Sequence, residues 1–158
     1  MNQRYLFLDF DGVLHTDVPP RDLRYARHLL PIVARLELKI VVSSTWREVY
    51  ALAELARQLG ELGRFVVGKT PVWSALDEDA PDVGVRQREI EAWLEKKGLH
   101  DAHWVALDDD ADNFRPSCTR VFLTDGSVGL DARAADAFSA WCDKVFAQAG
   151  VGAKMGRA

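Results

Sequence analysis

Two aspartates one residue apart, Asp9 and Asp11, close the apolar run Tyr5-Leu6-Phe7-Leu8 and stand just before Gly12. Such a run reads as a buried strand, and Gly12 lets the chain turn away where it stops. Buried charge is costly unless it is paired or bound to a metal. Carboxylates at the C-terminal end of a parallel strand lie where open α/β sheets bind ligands. A second acidic group, Asp108-Asp109-Asp110, follows the apolar run Trp104 to Leu107. Between them come Ser43 and Ser44 after Ile40-Val41-Val42, then Arg86 and Arg88. Together these types can do phosphoryl chemistry. One carboxylate can attack phosphorus and become an aspartyl-phosphate, and a neighbour can move the proton. Hard oxygens from two strand ends suit Mg²⁺, while a hydroxyl and a guanidinium can hold phosphoryl oxygens.

The elements that must position these groups alternate along the chain. Strands are expected over Tyr5–Asp9, Lys39–Ser43, Arg64–Val67, Trp104–Leu107 and Arg120–Leu123. Helices are expected over Asp22–Leu36, Trp46–Leu59, Gln87–Lys97 and Ala132–Ala147. Pro31 either kinks the first helix or falls in the first turn of a shorter one. Thr45 and Glu48 have capping-box spacing, and Gly98 is a plausible helix stop. Residues 68–84, with Pro71, Pro81 and an acidic middle, read as a loop. This alternation predicts an α/β fold, a Rossmann-like three-layer sandwich around a mainly parallel five-stranded sheet. Strand ends along one sheet edge would bring the polar groups together.

The ordered series resembles the haloacid dehalogenase (HAD) superfamily of phosphohydrolases from Tyr5 to about Asp131. Asp9-Phe10-Asp11-Gly12-Val13 is similar to the family's first motif, which implies Asp9 as nucleophile and Asp11 as acid/base, with the Asp11 carbonyl meeting the metal. Ile40-Val41-Val42-Ser43 resembles the second motif, with Ser44 as competing hydroxyl. Arg86 resembles the basic third motif, with Arg88 and Lys69 as rivals. Ala106-Leu107-Asp108-Asp109 resembles the fourth, with Asp109 favoured as direct metal ligand over Asp108, and Asp112 one shell out. The resemblance implies a Mg²⁺-dependent phosphatase acting on a phosphomonoester. Asp11 and Lys39 lie fewer than about 30 residues apart, room for one loop and one helix, and the loop over 68–84 is too short for a large cap. The chain then reads as one capless catalytic domain over 1–149 with a frayed tail over 150–158. An open site of this kind admits a small-molecule phosphate or a bulky substrate. Ser43-Ser44-Thr45-Trp46-Arg47 resembles capless members linked to nucleic-acid end repair.

Bulk properties set outer limits. The 158 residues suit one domain. A net charge of −4 carries no general basic footprint for nucleic acid. Cys118 and Cys142 are too few for a disulfide scaffold or zinc cluster, so a cytoplasmic location is expected. No secretory signal and no run near the roughly 18 apolar residues of a membrane span stand out. Each candidate also has a plainer reading: strand-end acids form turns, Ser43 and Ser44 cap helices, and arginines decorate surfaces. Trp46, Trp73 and Phe114 read as packing, and His15, His28, His100 and His103 as structural or exposed. Two alternatives to a phosphatase are a receiver-like switch and a catalytically inactive phosphate-binding module. A receiver places its phosphorylated acid after the third strand, where this chain has Val67-Gly68-Lys69.

Overall fold

The computed structural model describes residues 3–73, 83–100 and 102–155. The middle of the expected loop at 68–84, with its acidic stretch and Pro81, lies outside the described residues, as does the end of the expected tail. Five strands form one sheet: β1 (Arg4–Leu8), β2 (Leu38–Val42), β3 (Val66–Lys69), β4 (His103–Asp108) and β5 (Val121–Leu123). Their order is β3-β2-β1-β4-β5, and every adjacent pair runs parallel. The α/β sandwich is therefore as expected, with the sheet wholly parallel.

Four helices complete the layers: α1 (Ala26–Leu36), α2 (Leu52–Gln58), α3 (Val85–Lys96) and α4 (Ala132–Met155). Side chains alternate across a strand, and β1 divides accordingly. Leu6 and Leu8 enter one core with Leu29 and Val33 of α1, Leu55 of α2, and Phe138 and Cys142 of α4. Tyr5 and Phe7 enter the other, with Ile90, Trp93 and Leu94 of α3. Trp93 meets both rings edge-on, at 5.5 Å from Tyr5 and 5.7 Å from Phe7. β1 and β2 are buried on both faces, which is why they read as unbroken apolar runs.

Several element boundaries differ from expectation. The first helix begins at Ala26, because Leu23 takes a left-handed φ of 52° and turns the chain first. Pro31 lies well inside it. The expected helix over Trp46–Leu59 splits into a 3₁₀ turn, Thr45–Glu48, and α2. Ser44, rather than a Thr45–Glu48 box, caps that turn by accepting from the Trp46 N–H at 3.3 Å. The last helix runs past Ala147 to Met155; no proline stops it, and a glycine costs a helix only about 1 kcal/mol. Among the described residues, no helix is long and apolar enough to cross a membrane.

Candidate active site

Strand register builds the site. Leu8 pairs with Val42 on one side and Leu107 on the other, so the next residue of β1, Asp9, emerges between Ser43 and Asp108. The sheet hydrogen bonds continue there: Asp9 N–H donates to Leu107 O and Ser43 N–H to Leu8 O, both at 3.0 Å. Asp9 Oδ1 accepts from the Phe10 N–H at 2.9 Å, which fixes its rotamer. Asp108 Oδ1 is likewise engaged, by Asp110 N–H at 2.9 Å and Asn113 Nδ2 at 3.3 Å. Its Oδ2 is buried with no hydrogen-bond partner.

Asp9, Asp108 and Asp109 each offer an oxygen, and the three atoms lie within 4.8 Å of one another. Burial, then the Asp108 charge, pushes the Asp9 carboxyl well above its usual range, against the pull of Arg86. Burial raises Asp108 to about 6 and also lifts Asp109. Three crowded acids that resist ionisation, one with an orphaned oxygen, have the donor set that a hard divalent cation takes. Asp109 lies against Gly12, whose φ is +74°; a Cβ there would fall 2.1 Å from Asp109 Oδ2. Glycine at position 12 thus serves both the turn and the approach of the second acidic loop.

The loop carrying Asp11 is sewn to the far side of the sheet. Thr124 Oγ1 donates to Gly12 O at 2.8 Å, and Leu130 N–H donates to Val13 O at 2.7 Å. Asp11 stands apart from the three-acid cluster, with 39% of its side chain exposed. His15 Nε2 lies 2.9 Å from Asp11 Oδ1, and Trp46 Nε1 donates to both oxygens at 3.2 Å.

Arg86 supplies the positive side. It occupies the first turn of α3, whose start is tied to the fourth-strand loop by Gly84 N–H donating to Asp112 O at 2.8 Å. Only 8% of Arg86 is exposed, yet Nε and Nη1 have no hydrogen-bond partner. Among the described residues it forms an ion pair with Glu89, at 3.9 Å, and its charge reaches both Asp9 and Asp108. The rival cations are turned elsewhere. Arg88 lies over the Trp73 ring at 5.1 Å, and Lys69 donates to the carbonyls of Arg47 and Tyr50. Ser43 and Ser44 are both buried at the end of β2, Ser44 as the cap described above. Asp112 is exposed, its own N–H given to Asp110 Oδ1.

Two residues escaped sequence reasoning. Arg47 is buried and donates to the carbonyls of Ser43, Ser44, Thr70 and Pro71. It also forms a buried ion pair with Glu89, so one side chain ties the ends of β2 and β3 to α3. His15 is 1% exposed and serves Asp11. Its i+4 spacing from Asp11 was visible, but a four-residue spacing only means proximity once the segment is known to turn.

A parallel α/β sheet with a largely buried acidic cluster at its carboxyl edge, near a buried arginine with open donors, is the arrangement expected of a phosphatase-type hydrolase. The family model described as the HAD domain in Swiss Army Knife RNA repair proteins matches residues 5–135, and the chain belongs to that family. Neither the curated proteins nor the solved structures gave a match.

Proposed function

We propose that this chain is a Mg²⁺-dependent phosphatase that hydrolyses a phosphomonoester through a phosphorylated Asp9. The observation that carries the reading is Arg86, a buried guanidinium whose Nε and Nη1 have no hydrogen-bond partner and whose charge reaches Asp9 and Asp108. Leaving buried donors unmade costs about 1–3 kcal/mol or more, and a phosphoryl oxygen is a matching acceptor. Asp9 attacks phosphorus, the ester P–O bond breaks, and the departing oxygen takes a proton from Asp11. Water then attacks the same phosphorus, gives its proton to Asp11, and releases phosphate with Asp9 restored. Ser43 and Ser44, at the end of β2, join Arg86 in holding the transferring group. Asp9, Asp108 and Asp109, with the Asp11 carbonyl, would hold Mg²⁺. Bound there, the ion would offset repulsion between the acids and the phosphate.

The substrate we favour is a polynucleotide end, which fits the RNA-repair setting of the family. Residues 1–149 would act as one domain without a large cap, in the cytoplasm. Asp9→Asn should lower turnover of 4-nitrophenyl phosphate at least about 10³-fold, since a lone amide neither attacks nor leaves; unchanged turnover would sink the idea. A panel of 5′- and 3′-phosphorylated oligonucleotides against small phosphomonoesters then tests the substrate: preference for small esters removes the nucleic-acid end.

A further inference from the structure

We infer that Trp46 and His15 are positioning residues for Asp11, holding its carboxyl in line to protonate the departing oxygen. The inference rests on the phosphatase reading and adds two side chains to it. Asp11 is far more exposed than Asp9, and an exposed carboxyl ordinarily moves among rotamers. Here both of its oxygens are claimed. The Trp46 indole N–H sits 3.2 Å from each, and the buried His15 Nε2, which has no hydrogen-bond partner, lies 2.9 Å from Oδ1.

Each partner is itself fixed. His15 Nδ1 lies 2.6 Å from Thr16 O, a contact that sets the orientation of the ring. Trp46 meets Phe10 edge-on at 5.3 Å and is flanked by His15 at 6.1 Å and Tyr50 at 6.0 Å. Its backbone is held by the Ser44 cap. The two side chains come from different elements, the loop after β1 and the turn after β2. Stability alone gives little reason for this, because contacts to an exposed carboxylate contribute little. Alignment gives a reason: general-acid catalysis is worth about 10²–10⁴ in rate and depends on geometry.

Leaving groups separate positioning from packing. Trp46→Phe keeps the ring and deletes the N–H. It should lower kcat on phenyl phosphate about tenfold and on 2,4-dinitrophenyl phosphate less than about twofold, with KM unchanged, because the dinitrophenolate departs without a proton. His15→Gln, which keeps a polar side chain beside Asp11, should keep more of the phenyl phosphate rate than His15→Ala. In an Asp11→Asn background Trp46→Phe should cost nothing more. An equal loss across leaving groups, or no loss, overturns the inference. Asp9→Asn judges the phosphatase reading separately. If the wild type hydrolyses none of these esters, that reading falls, and the clamp is judged by nuclear magnetic resonance. The indole ¹H–¹⁵N cross-peak that Trp46→Phe removes should shift in Asp11→Ala; an unmoved peak overturns the clamp.

Discussion

Glu89 sits between two arginines and fully engages one. Its Oε2 takes the Arg47 guanidinium and the Trp73 N–H, while Arg86 stays at 3.9 Å. Arg86 is thus steadied by a carboxylate without being consumed by it, which suits the phosphate contact proposed for it. Burial pushes the Glu89 carboxyl up, and the two arginines pull it back. Removing one partner of a buried ion pair strands the other and costs about 3–5 kcal/mol. Glu89→Ala should lose that much in urea unfolding, and any folded protein should show a raised KM for phosphate esters as Arg86 loses its anchor. At this scale the sequence was partly legible. Asp9, Asp108 and Arg86 stood out by type and order. Arg47 did not, because its meaning lies in four carbonyls drawn from two segments more than twenty residues apart.

At the level of elements, the strands were easier to read than the helix after β2. A doubly buried strand announces itself by composition alone. The segment after Ser44 has helical spacing, yet Arg47 reaches back to the Ser43 and Ser44 carbonyls, and the chain tightens into a 3₁₀ turn instead. The same turn carries Trp46, whose indole N–H reaches Asp11. The loop after β1 carries the opposite constraint, an absence of side chain. Gly12→Ala must adopt a left-handed φ, at about 1–2 kcal/mol, and displace Asp109, at about 1–3 more. We expect a loss of about 2–5 kcal/mol in stability and a weakened response to Mg²⁺, both measurable by thermal melting. A melting curve identical to wild type would show that the Asp109 loop is free to retreat.

Across the whole molecule, the acidic cluster makes stability depend on pH with an unusual sign. Burial lifts Asp108 from 3.8 to about 6, with Asp9 and Asp109 also raised. The fold therefore keeps protons that the unfolded chain releases. The contribution is fully present below the unfolded value and is lost as pH rises through the folded one. Without cation, the melting temperature should fall by several degrees between about pH 4 and pH 7. Mg²⁺ should restore more at pH 7.5 than at pH 5. Asp108→Asn should flatten the slope and melt above the wild type at pH 7.5 without cation; a slope that survives this change would place its origin elsewhere. The strand order has a consequence of another kind. β1 is synthesised first but lies at the centre of the sheet, paired to β2 on one side and to β4 on the other. On the ribosome, a greasy central strand waits with one hydrogen-bonding edge bare until His103 to Asp108 emerge. Until β4 emerges, the nascent chain offers a neighbouring chain the seat meant for that strand.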